Sequence, residues 1–227
     1  MAEAGIIKPS SSPWASSIVL VSKRDGSYRY YIDYRKVNDL THKHSYPLPR
    51  IDSTLEALSR AAWFSTLDLK SGYWQAEMEE KDKEKTAFTS GSGLWQFRVM
   101  PMGLCNAAAT FERLMEQVFV GMSWQKALVY LDDIIVYEKR FEDELRHLYE
   151  VSTRLSEANL KLSPKKCQLF QRSAEFLGHT VSGMASLAKT ARSQPFVTGQ
   201  PRKVRLRFNA SWAYACTIAC SFITSAK

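Results

Sequence analysis

Two adjacent carboxylates, Asp132 and Asp133, interrupt the apolar run Val129-Tyr-Leu-Asp-Asp-Ile-Ile-Val136. Short apolar runs on both sides suit two strands anchored in a core, with the acidic pair at the exposed tip of a tight turn. Ionising two carboxylates that close is costly unless a cation compensates. A divalent ion held through oxygen does this, and Mg²⁺ suits carboxylates together with substrate phosphates. An ordinary hairpin turn accommodates the same pair, because Asp is a common turn residue. A further acid bears on the choice. In Trp63-Phe-Ser-Thr-Leu-Asp-Leu-Lys-Ser-Gly-Tyr-Trp74, Asp68 ends an apolar run and Gly72 lies four residues on. A carboxylate at a strand end, followed by a turn with free backbone N–H groups, can hold a metal and approach a triphosphate. A helix-capping Asp is the structural alternative.

The surrounding sequence predicts short elements of both kinds. Ile18 to Val21 and Tyr28 to Ile32, joined through Asp25-Gly26, read as a hairpin. Residues 9–14 read as an extended loop, and Tyr46-Pro-Leu-Pro-Arg50 cannot be helical. Ser53-Thr-Leu-Glu56 has a capping-box pattern, with Ile51, Leu55 and Leu58 at helical spacing around it. A second hairpin is expected over Thr86–Thr89 and Leu94–Val99, through Gly91-Ser92-Gly93. Asn106 can cap a helix that ends at Gly121, with Phe111, Leu114, Met115, Val118 and Phe119 on one face. Phe141 to Ala158 predicts another amphipathic helix, and Phe176-Leu-Gly178 with Thr180 to Gly183 a last turn and strand. Strands and helices do not alternate regularly, which points to an α+β fold rather than a doubly wound sheet.

Charge is a poor guide to partners here. The net charge is +8, but residues 184–227 hold seven Lys or Arg and no acid, leaving 24 basic and 23 acidic residues in 1–183. The body is nearly neutral, so the motifs must identify the partner. The 227 residues suffice for one large or two small domains, and the 45% hydrophobic content is ordinary for a globular chain. No apolar run is long enough to span a membrane, and Met1 to Pro9 has no signal-peptide core. Cys105, Cys167, Cys216 and Cys220 form no CxxC pair, so a reducing, intracellular setting is expected. Asn209-Ala-Ser211 is a sequon read as chance.

An ordered set of blocks carries a resemblance. They are Gly5 to Ala15, Lys23-Arg-Asp-Gly26, Ile32-Asp-Tyr-Arg35 with Asn38, Tyr46-Pro-Leu-Pro-Arg-Ile-Asp52 and Phe64-Ser-Thr-Leu-Asp-Leu-Lys-Ser-Gly-Tyr73. Lys85 to Phe88, Met100-Pro-Met-Gly-Leu104, Asn106 to Phe111, Tyr130-Leu-Asp-Asp133, Leu160 to Cys167 and Phe176-Leu-Gly-His179 follow. In this order they resemble the reverse transcriptase domain of a gypsy-type long-terminal-repeat retrotransposon, part of a retrovirus-related Pol polyprotein.

The resemblance implies palm and fingers subdomains of a right-hand polymerase over residues 1–183, with the thumb absent or incomplete. Residues 184–227 do not match the family and are expected to be disordered or foreign to it. The activity implied is RNA-directed DNA polymerisation onto a primer 3′-hydroxyl. A catalytically inactive transposon remnant that folds and at most binds nucleic acid is the alternative. Carried over position by position, Asp68, Asp132 and Asp133 would hold two Mg²⁺ (or Mn²⁺), with the Leu69 carbonyl as a further ligand. Lys23, Arg29, Gly72 and Tyr73 would face the incoming deoxynucleoside triphosphate, Tyr73 as a steric gate against a ribose 2′-hydroxyl. Arg35 and the Phe176, Leu177 and Gly178 turn would contact RNA or DNA template and primer. Implied partners are template, primer, deoxynucleoside triphosphates and the rest of a Pol polyprotein (RNase H and integrase), with no membrane. The implied setting is intracellular, either cytoplasmic in a virus-like particle or nuclear. Trp74, Met102, Ala108 and Glu138 depart from the usual pattern, and none of these removes a metal ligand.

Overall fold

The computed structural model describes residues 1–22, 26, 28–91 and 93–182. Lys23 and the basic tail 184–227, both singled out above, lie outside the described residues.

In chain order the elements are β1 (Ile7–Pro9), β2 (Ile18–Ser22), β3 (Tyr28–Ile32), α1 (Arg35–Leu40), α2 (Ile51–Leu58), β4 (Trp63–Asp68), α3 (Glu80–Lys83), β5 (Phe88–Ser90) and β6 (Gly93–Phe97). They continue with α4 (Ala107–Val118), β7 (Ala127–Tyr130), β8 (Asp133–Glu138), α5 (Phe141–Glu157), β9 (Gln168–Gln171), β10 (Ser173–Phe176) and β11 (His179–Ser182). The chain forms two compact units, one from residues 1–48 and 70–117, the other from 49–69 and from 118 onward.

The first unit holds a three-stranded antiparallel sheet in the order β1-β6-β5 and the separate β2-β3 hairpin. Its core gathers Ile32, Tyr34, Val37, Phe88 and Phe97. Tyr34 is almost wholly buried, and its hydroxyl donates to the Thr86 carbonyl at 2.9 Å. Burial pushes its phenol well above the ordinary range, so the hydroxyl stays a neutral donor. Tyr34→Phe leaves that buried carbonyl unpaired and is expected to cost about 1–2 kcal/mol, read from the chemical denaturation midpoint. An unchanged midpoint would show that the carbonyl finds another donor.

The second unit is built on a four-stranded antiparallel sheet in the order β7-β8-β4-β9. The two central strands explain the apolar runs of the sequence. Ile134, Ile135, Val136 and Tyr137 of β8 are all buried, which requires cover on both faces. On one face Phe64, Leu128, Ile135 and Tyr137 join Leu55 and Leu58 of α2 and Ala174, Phe176 and Val181 of the β10-β11 hairpin. The alternate residues of β4 and β8 face the other way, where α5 packs on both strands and buries Leu148, Val151 and Leu155.

Several local expectations need correction. The capping box is not used: α2 starts at Ile51, directly after the extended Arg50, with no side-chain cap. Ser53 therefore lies inside the helix, because the proline-bearing stretch can end immediately before Ile51. Asn106 does not turn its side chain onto its own helix. Its amide donates to the His42 carbonyl and accepts from the His44 N–H, pinning the 42–44 segment. Helix α4 ends at Val118, short of Gly121. Strand β9 and helix α1 had no recognised signal in the sequence.

Candidate active site

Asp68 is the last residue of β4 and Asp133 the first of β8, and the antiparallel register sets them directly opposite each other. Directly opposed residues in such a pair have Cβ atoms about 4.5–5.5 Å apart. Asp132 lies in the two-residue turn between Tyr130 and Asp133, the closing pair of the β7-β8 hairpin. Leu131, the other turn residue, takes φ +54°, a left-handed conformation that is costly for a non-glycine side chain. The Leu69 N–H donates to the Asp132 carbonyl at 3.3 Å, tying the end of β4 to this turn. Three acids 64 and 65 positions apart in sequence thus gather at one end of the sheet's two central strands.

Their electrostatics are only partly compensated. Burial, then the charges of Asp133 and Asp68, push the Asp132 carboxyl above the ordinary range. Burial and then Asp68 push Asp133 up as well. Asp132 Oδ1 is buried without a hydrogen-bond partner. Among the described residues, only Lys166 pulls in the other direction on both. Its ammonium lies 3.0 Å from each carboxylate oxygen of Asp68.

Backbone contacts put Lys166 there. The Ser163 N–H donates to the Asp68 carbonyl at 2.8 Å, and Leu162 bridges Leu69. The Ser163 carbonyl then accepts from the N–H groups of Lys166 and Cys167, closing a turn beneath the acid. Sequence reading noticed the block Leu160 to Cys167 but gave Lys166 no role. Two lysines directly after Ser163-Pro164 were the available signal, and only the long-range pairing with Asp68 gives it meaning.

A divalent metal fits these residues. The donors are hard carboxylate oxygens on adjacent strand ends, one of them buried and unpaired, and their mutual repulsion calls for a cation. Among the described residues, no three His, Cys, Asp or Glu side chains are drawn together as a ready cage. The backbone positions are assembled, while the Asp68 carboxylate is engaged by Lys166.

The other singled-out residues divide between the units. Leu69, almost fully buried, belongs to the unit of the three acids. So does the tight β10-β11 turn, where Leu177 and Gly178 both take positive φ (51° and 76°) and the Phe176 side chain is buried in the core. That places the Phe176 ring among core residues and leaves the turn itself at the surface-facing end of the hairpin. Gly72, Tyr73, Arg29 and Arg35 belong to the first unit. Gly72 and Tyr73 open a short 3₁₀ turn, and the Tyr73 ring meets Phe111 edge-on at 5.3 Å. Arg29 lies on β3 beside the Tyr31 hydroxyl. Arg35 grips Asp33 with a 2.6 Å contact, and its hydrogen bonds hold the Asp33 carboxyl down at about 2.

A family model described as reverse transcriptase (RNA-dependent DNA polymerase) matches residues 21–181. The chain belongs to the reverse transcriptase family. Among curated relatives, this reverse transcriptase chain is 41% identical over 187 residues to the retrovirus-related Pol polyprotein from transposon 297 of Drosophila melanogaster. It is 39% identical over 184 residues to that from transposon gypsy of the same fly. These matches cover 80% and 78% of the chain but 18% of each relative, so the chain spans less than a fifth of their length. Among solved structures, it matches a foamy viral protease–reverse transcriptase in complex with double-stranded DNA (TM-score 0.74, 27% identity, 80% of this chain and 32% of that one). A foamy viral protease–reverse transcriptase bound to an RNA/DNA hybrid matches similarly (TM-score 0.73, 26% identity, 80% of this chain and 24% of that one). The α+β reading and the gypsy-type resemblance both stand. No helix among the described residues is long and apolar enough to cross a membrane.

Proposed function

We propose that this chain supplies the fingers and palm of an RNA-directed DNA polymerase within a longer Pol polyprotein. The carrying observation is the register that seats Asp68 against Asp133 beside the Asp132 turn. In this reading residues 1–183 are the catalytic region, and the second unit is the palm.

Asp68, Asp132 and Asp133 would hold two Mg²⁺ or Mn²⁺ ions, with the Leu69 carbonyl as a further ligand. Bound there, such ions would supply Lewis-acid activation of a primer 3′-hydroxyl and charge neutralisation of the leaving pyrophosphate. The chain's own residues position the reactants. Arg29 and Lys23 grip the triphosphate, where guanidinium can bind phosphate in two-pronged fashion. The backbone around Gly72 lets the nucleotide approach closely, and Tyr73 blocks a ribose 2′-hydroxyl. Arg35 and the turn at Phe176, Leu177 and Gly178 hold template and primer. Base pairing, not the protein, selects the nucleotide, so binding is salt-dependent and sequence-tolerant.

The partners are RNA or DNA template, primer and deoxynucleoside triphosphates, and the setting is intracellular. Support comes from the family match and from the nucleic acids named in the two foamy viral complexes.

Primer extension on an RNA template with a DNA primer tests this reading. Incorporation that needs Mg²⁺ or Mn²⁺ and stops on chelation is the expected result. Template binding with no extension under either metal would instead make the chain an inactive remnant.

A further inference from the structure

We propose that Lys166 is a resident counter-ion of the carboxylate site. Its ammonium holds Asp68 when no divalent ion is bound, must leave when one binds, and so sets how tightly the site takes its metal. This rests on the reading of Asp68, Asp132 and Asp133 as metal ligands.

The geometry is specific. Lys166 Nζ is 3.0 Å from both Oδ1 and Oδ2 of Asp68, so it covers the whole carboxylate rather than one lone pair. A divalent ion would approach the same oxygens to about 2.0–2.6 Å. Two cations cannot occupy that space together, and their repulsion adds to the steric conflict. Metal entry at Asp68 and the Lys166 contact therefore exclude each other.

The two halves of the contact differ in mobility. The turn carrying Lys166 is fastened to the Asp68 backbone through Ser163, so the lysine always starts beside the acid. Its side chain, however, is about two-thirds exposed (66%), against 24% for Asp68. The ammonium can swing into water at little cost, while the carboxylate stays. Without the lysine, the metal-free site would hold three acids with no other cation beside them among the described residues, a state disfavoured by like-charge repulsion. Lys166 thus stabilises the empty site and competes with the metal for the same oxygens.

The test is Mn²⁺ binding by the full chain, followed through the electron paramagnetic resonance of free Mn²⁺ at fixed ionic strength. Lys166→Met keeps the stem and removes the charge, and it should tighten binding about two- to fivefold, the scale of an exposed ion pair. Lys166→Arg keeps the charge and should bind like the wild type. In an Asp68→Asn background, Lys166→Met should have a clearly smaller effect, since only the longer-range pull of Lys166 on Asp132 and Asp133 remains. Thermal melting gives an independent readout: Lys166→Met should lower the melting temperature in EDTA, and the deficit should vanish at saturating Mn²⁺. Equal or weaker Mn²⁺ binding by Lys166→Met, with binding still dependent on Asp132, overturns the counter-ion while leaving the metal reading intact. Mn²⁺ binding that ignores Asp68 and Asp132 alike overturns both.

Discussion

Asp132→Asn is expected to abolish primer extension and to make the protein more stable. The substitution preserves the shape of the turn residue and removes one carboxylate from the proposed metal ligands. Charge stabilisation by such ions contributes several kcal/mol to a transition state, so the loss should reach about 10³-fold in turnover. Stability moves the other way because the wild-type carboxylate is poorly placed when metal-free. It is half-buried, it stands beside Asp133 and Asp68, and its Oδ1 has no partner. The sign follows from linkage. A carboxyl whose folded pKa is raised binds its proton more tightly in the folded state. It favours folding fully below the unfolded pKa and loses that contribution as pH rises through the folded value. The variant's advantage should therefore be absent in acid, grow through the carboxylate range and persist at neutral pH. Melting curves in EDTA across that range measure it, alongside extension assays in Mg²⁺. An equally active variant, or one that melts lower at pH 7, would contradict the role given to Asp132.

Glu144→Gln should raise stability at pH 8 by on the order of 3 kcal/mol and change little at pH 4. Glu144 sits in the first turn of α5, fully buried against the sheet. Burial, with a smaller push from the Glu138 charge, raises its carboxyl to about 7, while Ser65 pulls it partly back. Neither carboxylate oxygen has a hydrogen-bond partner of good geometry. The position of the acid near the helix N-terminus is favourable to a negative charge, but the lost hydration outweighs it. Below the unfolded pKa, near 4.5, the group is protonated in both states and the amide is a close mimic. Between there and about 7 the unfolded chain ionises first, and wild-type stability falls; above about 7 the folded carboxyl is charged as well, and the deficit is complete. His147 and Glu138 flank the same face, with His147 Nδ1 3.1 Å from Glu138 Oε1. Repeating the pH series in Glu138→Gln separates their part. Wild-type stability that is flat between pH 5 and 8 would rule out a buried, ionising Glu144.

Each effect concerns a carboxylate that the fold places where water cannot compensate it. At Asp132 the proposed compensation is a metal. At Glu144 no comparable partner is present among the described residues, and its cost falls on stability alone.

Much of this was legible in residue order, and the reasons are local. The run around Asp132-Asp133 specifies a hairpin because two buried apolar strands leave charged groups a place only at the turn and the strand end beside it, where Asp132 and Asp133 lie. The β2-β3 hairpin, β4 and α5 follow from apolar spacing in the same way. The central strands of the four-stranded sheet read as continuous apolar runs because both faces are covered. Helix starts were less legible. A capping pattern at Ser53 competes with a proline-bearing stretch that already frees the chain to turn at Ile51. Asn106 has an amide that can serve distant carbonyls as readily as its own helix.

By itself, the amino-acid sequence determined the family, through its ordered blocks, and the α+β class, and it proposed the three acids as the site, since these depend on residue types and short stretches of chain. Only the tertiary structure decided that Asp68 stands opposite Asp133, that Lys166 covers Asp68, and that Glu144 is sealed beneath the sheet. Those facts depend on strand register and on contacts between residues up to 98 positions apart. Such contacts arise when separate elements bury their apolar faces together, and no local pattern encodes which polar groups that packing brings into touch.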